Sequence, residues 1–181
     1  MSSLRQIRNL ALIGFMGTGK SSVGRQVAAH LNFQFLDTDE VVESRAGKSI
    51  TRIFAEDGEA AFRDWERKIV AELAQMNRVV VSTGGGLAAN EANLASLKEH
   101  ALVVCLWAGP ESIWQRVRHQ AHRPLLQDAD PLAKIRRLLE QREPFYRQAD
   151  VLVNTEMRGI KEVVQHVEHQ FQVAQASQKA P

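Results

Sequence analysis

At 181 residues, with 44% hydrophobic and 24% charged side chains, the chain has the size and balance of one globular domain with a full core. A net charge of only +2, with no dominant basic run, gives no indication of nucleic acid or a membrane surface as the main partner. The single cysteine, Cys105, excludes an internal disulfide, and its apolar setting Leu102-Val103-Val104-Cys105-Leu106 points to a buried, inert thiol. No signal peptide or apolar span of membrane length is visible. The expectation is a cytoplasmic enzyme or binding domain, and a monomer.

The first predicted strand runs from Asn9 to Ile13 and is apolar on both faces, as suits a central parallel strand. It runs into Gly14-Phe15-Met16-Gly17-Thr18-Gly19-Lys20-Ser21, which has the full spacing of Gly, four residues, Gly-Lys-Ser/Thr, with a strand before and a helix after. Glycines let such a turn aim its backbone N–H groups at a phosphate, and the helix that starts there adds partial positive charge. Lys20 can reach the β- and γ-phosphates, and the Ser21 hydroxyl can ligate Mg²⁺. ATP or GTP is the ligand this pattern predicts.

A helix from Lys20 to about Asn32 is followed by a short strand, Phe33 to Leu36, with Asp37-Thr38-Asp39 at its end. Next come short helices over Glu40 to Ala46, stopped at Gly47, and over Ser49 to Asp57, closed by Gly58. A longer helix spans Glu59 to Met76, with Phe62, Trp65, Ile69, Val70 and Leu73 at helical spacing. The strand Arg78 to Ser82 leads into Thr83-Gly84-Gly85-Gly86, and Asn90 is placed to cap the following helix. After a strand from Ala101 to Trp107, Gly109-Pro110 opens a helix. From Arg116 to Asp130 the pattern becomes a basic excursion without core character, broken by Pro124. Asp130-Pro131 starts a helix that Pro144 ends or kinks. Val151 to Val153 is a fifth strand, Ile160 to Phe171 a last amphipathic helix, and the polar tail from Gln172 is expected to fray.

Strands alternating with helices predict an α/β fold with a doubly wound parallel sheet, whose ligands bind beyond the C-terminal strand ends. That rule brings the phosphate loop, Asp37 with Asp39, and the triple glycine around one cleft. Asp37 and Asp39 have two readings: an Asp-rich helix cap, or a Mg²⁺ carboxylate (Asp37) beside a group that accepts a substrate hydroxyl proton (Asp39). The strand before the triple glycine ends without an acid, which favours Asp37 for the metal. Arg63 and Glu66, three apart on one helix, are either a surface ion pair or a positioned arginine. Arg142 continues the stripe of Ile135 and Leu138 or Leu139, so it should point inward, toward Glu66, another carboxylate or a ligand anion. Gly84, Gly85 and Gly86 permit a close approach of ligand to backbone. Arg116 and Arg123 suit a mobile cover that brings charge to a transferred phosphoryl group. His119 and His122 have no further metal ligands clustered with them, and Trp107 and Trp114 read as packing residues.

The phosphate loop, Asp37-Thr38-Asp39, Phe62-Arg63-Asp64-Trp65-Glu66, Gly84-Gly85-Gly86, Arg123-Pro124-Leu125-Leu126 and Arg142 with Tyr146 occur in the order seen in shikimate kinases, and the whole set resembles that family over nearly the full chain. The resemblance implies one P-loop kinase domain over residues 1–181, three-layered α/β/α with strand order 2-3-1-4-5. It implies a substrate-binding segment at about 37–66, a lid at about 112–128, and ATP-dependent phosphorylation of the shikimate 3-hydroxyl in chorismate biosynthesis. Asp39, Arg63, Gly84, Gly85, Gly86 and Arg142 then correspond to shikimate contacts, and Lys20, Asp39 and Arg123 to the catalytic groups. Gly17, Thr18, Gly19, Lys20, Ser21 and Ser22 would hold ATP, with Arg116 on adenine, Arg123 on the phosphates and Arg158 in the adenine-side loop. Ser21 and Asp37 would hold Mg²⁺. A gluconate-type or nucleoside monophosphate kinase, or a nucleotide-binding regulator without turnover, are the alternatives.

Overall fold

The computed structural model describes residues 5–119 and 129–178. Five strands, β1 (Asn9–Ile13), β2 (Gln34–Asp37), β3 (Val79–Ser82), β4 (Ala101–Trp107) and β5 (Val151–Asn154), form one sheet in the order β2-β3-β1-β4-β5. Every pairing is parallel. The period-two alternation of a strand sends neighbouring residues of β1 to opposite faces. Ala11 and Ile13 join one core cluster, and Leu10 and Leu12 the other. Both faces of β1 are buried, which explains its unbroken apolar sequence.

Helices α1 (Lys20–Leu31) and α8 (Ile160–Ser177) cover one face through Val23, Val27, Val163, Val164, Val167 and Phe171. The other face carries α2 (Thr38–Ala46), α3 (Ile50–Glu56), α4 (Gly58–Leu73), α5 (Glu91–His100), α6 (Pro110–Val117) and α7 (Pro131–Tyr146). The fold is the expected three-layer α/β/α sandwich. Trp107 and Trp114 pack against the core, Asn90 caps α5 through its side-chain oxygen, and Gly47 closes α2 at φ 67°. Among the described residues no helix is long and apolar enough to cross a membrane.

Several boundaries differ from the sequence-based expectation, each for a local reason. The helix after β2 begins at Thr38, because Asp37 caps it by accepting from the Asp39 N–H at 3.1 Å. Asp39 therefore stands in the first helical turn. Gly58 opens α4 rather than closing α3, at φ 83°. Pro144 does not end α7, which continues to Tyr146; Pro144 has no N–H to donate, but Arg147 N still reaches the Glu143 carbonyl at 2.9 Å. Residues 112–117 are ordinary helix, with Ile113 and Val117 fully buried. Apolar packing runs further into the basic stretch than its composition suggests. The polar tail is helical through Ser177, where the Gln178 side chain accepts from Ile7 N at 2.9 Å and donates to the Arg5 carbonyl at 2.8 Å. Those bonds tie the tail to the start of the chain instead of letting it fray.

The end of the sheet opposite the glycine loops is fastened by a buried polar network. Asn9 accepts from Val79 N at 3.1 Å, donates to the Met76 carbonyl at 2.8 Å, and faces His100 Nδ1 at 3.0 Å. The Val79 N–H fixes the orientation of the Asn9 amide, so an N–H points at His100 and Nδ1 must accept. His100 is 3% exposed, and burial, with Arg8 adding to it, holds its pKa below the ordinary 6.5. A histidine held below its unfolded pKa takes up its proton more readily in the unfolded chain, so stability is full above 6.5 and falls as the pH drops toward the folded value. Denaturation midpoints measured from about pH 7.5 down to about pH 5.5 should fall more steeply for the native protein than for His100→Leu. Parallel profiles would show that His100 is not the titrating group.

Candidate active site

The phosphate loop lies between the C-terminal end of β1 and the start of α1. Its first glycine, Gly14, has φ +133°, and a Cβ there would collide with the Leu106 carbonyl of β4, so only glycine fits. Thr18 Oγ1 donates to the Phe15 carbonyl at 2.8 Å and stiffens the turn from inside. Lys20 is 8% exposed and donates to the same carbonyl at 2.8 Å, which lays its ammonium across the loop.

A cleft of about 340 Å³ opens at this end of the sheet. Of the predicted residues, Gly17, Gly19, Lys20, Ser21, Ser22, Asp37, Asp39, Gly85 and Arg116 line it. A larger hollow of about 480 Å³ lies against β2 between α2 and α4 and shares Asp37, but it contains none of the glycine loops. The smaller cleft is the chemical one, because the backbone donors, cation and carboxylates converge there.

Ser21 Oγ donates to Asp37 Oδ2 at 2.7 Å and lies 3.2 Å from Ser82 Oγ. Asp37 thus both caps α2 and meets the loop serine. Ser82 occupies the end of β3, where the acid is missing, and its role was not legible beforehand; a small hydroxyl at a strand end was the only signal. Three oxygen-bearing side chains meeting beside a phosphate loop form a hard donor set that fits a magnesium ion.

Asp39 lies so close to Gly84 that a Cβ on that glycine would overlap its carboxylate. Thr38, fully buried, accepts from Gly84 N at 2.8 Å and locks the triple-glycine loop to α2. Nothing in the sequence marked Thr38 for this. Burial, then the neighbouring Asp37, raises the pKa of Asp39 from 3.8 to about 6, against the pull of Lys20.

Arg63 donates to Glu59 at 2.8 Å and to Glu66 at 2.7 Å, and its guanidinium lies about 3 Å from where a Cβ on Gly86 would stand. It is neither a plain surface pair nor unpaired, because Glu66 is 1% exposed and its Oε1 has no partner among the described residues. Burial raises the Glu66 pKa, with Arg63 and Arg142 opposing. Arg142 does point inward, but no carboxylate lies within ion-pairing distance among the described residues. Its Nη1 donates to the Gly85 carbonyl at 3.0 Å, and its guanidinium lies 5.3 Å from the Phe15 ring centre. Two guanidinium groups therefore flank one glycine loop, Arg63 at Gly86 and Arg142 at Gly85.

Arg116 comes from the last turn of α6 rather than from a loop. It donates to Thr155 Oγ1 at 2.9 Å, to the Thr155 carbonyl at 2.8 Å and to the Gly17 carbonyl at 3.3 Å, joining the phosphate loop to the segment after β5. Arg158 in that segment is exposed and makes no hydrogen bond or ion pair with the described residues. Arg123, with the lid residues 120–128, lies outside the described residues. Cys105 is fully buried with its thiol pKa pushed to about 12, which makes it inert.

Holding Asp39 ionised beside Asp37 costs stability. Its raised pKa means that the folded chain loses stability as pH rises from 3.8 through about 6. Asp39→Asn should therefore be more stable than the native protein at neutral pH, by about 1–3 kcal/mol, with the gain shrinking toward pH 4. Denaturant titrations at both pH values check this; a less stable variant at neutral pH would contradict it.

A family model described as shikimate kinase matches residues 16–172. The shikimate kinase of Caldanaerobacter subterraneus is 42% identical over 161 residues, spanning 89% of this chain and 94% of its own. A structure of shikimate kinase from Acinetobacter baumannii in complex with shikimate superposes with a TM-score of 0.88 at 34% identity, covering 94% of this chain and 96% of its own. A gluconokinase structure from Sinorhizobium meliloti, 19% identical with a TM-score of 0.64 and 96% coverage of both chains, shares the fold alone. With the phosphate loop, the paired aspartates and the arginine-flanked glycine loop in one cleft, the chain belongs to the shikimate kinase family.

Proposed function

We propose that the chain transfers the γ-phosphoryl group of ATP to the 3-hydroxyl of shikimate. The observation that carries this reading is the position of Asp39. Its carboxylate lies between the Lys20 loop on one side and the glycine loop flanked by Arg63 and Arg142 on the other. A substrate with a carboxylate at one end and hydroxyls at the other matches that order of charges.

In this scheme Arg63 and Arg142 hold the acid, with the Gly84, Gly85 and Gly86 backbone close against it. Asp39 binds the attacking hydroxyl. That oxygen bonds to the γ-phosphorus as the bond to the bridging oxygen breaks, ADP leaves with the electron pair, and Asp39 takes the proton. Gly17, Thr18, Gly19, Lys20, Ser21 and Ser22 cradle the triphosphate. Ser21 and Asp37 would hold magnesium, with Ser82 beside them, and the ion would supply neutralisation of phosphate charge. Arg123 joins the phosphates from the lid, and Arg116 and Arg158 serve the adenine side. The proposal is of a monomeric, cytoplasmic enzyme with no nucleic-acid or membrane partner, in keeping with the net charge of +2.

ADP release with Mg²⁺·ATP, assayed with shikimate beside quinate, gluconate and AMP, tests the substrate. Release that depends on shikimate is expected, and release with another acceptor instead would discard it. Asp39→Asn should abolish transfer with ATP affinity near normal, and native activity should rise with pH through about 6 as Asp39 ionises. Turnover of that variant at the native rate would remove Asp39 from the mechanism. Arg142→Ala should raise the KM for shikimate by about 10- to 100-fold, the worth of a charged hydrogen bond. An unchanged KM would take Arg142 out of the acid site.

A further inference from the structure

The three carbonyls of the glycine loop are satisfied in different ways. Gly84 O accepts from Leu87 N at 3.1 Å and Gly86 O from Ala89 N at 3.1 Å, both within the loop's own turns. Gly85 O instead takes two side-chain donors from α7, Tyr146 Oη at 2.8 Å and Arg142 Nη1 at 3.0 Å. Gly85 also abuts the phosphate loop: a Cβ there would stand 3.5 Å from Met16 N and 3.9 Å from Gly14 O. One peptide is thus wedged between α7 and the nucleotide loop.

The two donors differ in their freedom. Tyr146 is 1% exposed within the core that contains Ile135 and Leu139, and it is fixed by that packing. Its phenol, with its pKa pushed to about 12 by burial, stays a donor at any physiological pH. Arg142 is half-buried beside Gly85; its Nη1 donates to that carbonyl, and its guanidinium also acts on the Tyr146 phenol oxygen. If the Nη1 edge of the guanidinium turns to a carboxylate it lets go of the carbonyl, and a backbone carbonyl left bare in such a place is unfavourable. Tyr146, one helical turn further along α7, keeps that carbonyl occupied.

We propose that Tyr146 is a positioning residue for the acid site: its hydroxyl holds the Gly85 carbonyl, and with it the glycine loop, while Arg142 turns to the substrate carboxylate. This inference rests on the role given to Arg142 above. The continuation of α7 through Pro144 to Tyr146 brings that hydroxyl to Gly85 beside Arg142.

Tyr146→Phe removes the hydroxyl and keeps the ring. The expected result is a KM for shikimate raised about tenfold, with kcat within about twofold and the KM for ATP unchanged. A purely structural role would lower the thermal midpoint and the active fraction but leave the KM for shikimate at its native value, and that outcome overturns the proposal. Arg142→Ala separates the two claims. If it raises the KM for shikimate and Tyr146→Phe does not, the inference about Tyr146 fails alone; if neither does, both fail. Tyr146 is the only tyrosine in the chain, so protein labelled with 3-fluorotyrosine gives one fluorine resonance. Shikimate should shift that resonance in the native protein and not in Arg142→Ala. A resonance that ignores shikimate in the native protein overturns the hand-over.

Discussion

The cost of holding Asp39 as a carboxylate in a partly dry cleft, with the charges of Asp37 and Glu66 nearby, is what the surrounding residues are arranged to offset. Burial, and then the charge of Asp37, lifts the Asp39 pKa to about 6 from 3.8. Lys20 draws that value down from the phosphate-loop side. Glu66, buried to 1% exposure, is held by Arg63, with Arg142 close enough to act on it. Removing Arg63 would leave the buried Glu66 carboxylate without its ion-pair partner, which is strongly destabilising. A poised carboxylate is useful for proton transfer because a base works best when its pKa lies near the working pH.

The order of strands makes this gathering possible. With β1 between β3 and β4, the phosphate loop leaves the sheet next to the glycine loop that follows β3. β2 lies beyond β3 and delivers Asp37 to the same edge, in register with Ser82. Parallel strands present all their C-terminal ends on one side, and the reversal of winding direction about β1 leaves a crevice there. The glycine loop fills the middle of that crevice. It touches Asp39 and Thr38 of α2, Arg63 of α4, Arg142 and Tyr146 of α7, and the phosphate loop. A side chain on Gly84 would collide with Asp39 and one on Gly86 would crowd Arg63, while Gly85 sits in contact with Arg142 and the phosphate loop.

Much of this was legible in the sequence. Spacing located the phosphate loop, because the chemistry of holding phosphate demands particular residues a fixed number of positions apart. Buried strands identified themselves by unbroken apolar runs, and helix starts by Asn90 and Asp130, since caps depend only on neighbours a few residues away. The limits of α2, α4 and α7 were less well read. Asp37 was recognised as a possible cap or metal ligand, yet only the folded chain shows one carboxylate serving the α2 N-terminus and Ser21 together. Pro144 argued for a break in α7 that tertiary contacts of Tyr146 override.

The sequence by itself determined the fold class, the nucleotide loop and the identity of the charged residues, because each rests on local periodicity, spacing or residue chemistry. Only the tertiary structure decided which partner each charge faces. Arg142 could have met Glu66 and instead meets the Gly85 carbonyl; Arg116, read as part of a loose basic excursion, lies at the end of a packed helix and bridges Gly17 and Thr155. The hydroxyls of Thr38, Ser82 and Tyr146 carried almost no sequence signal and became meaningful once Gly84, Ser21 and Gly85 were beside them. A hydrogen bond between residues 46 or 61 positions apart is set by how helices dock on a sheet, and docking depends on the whole packed core rather than on any stretch that can be read along the chain.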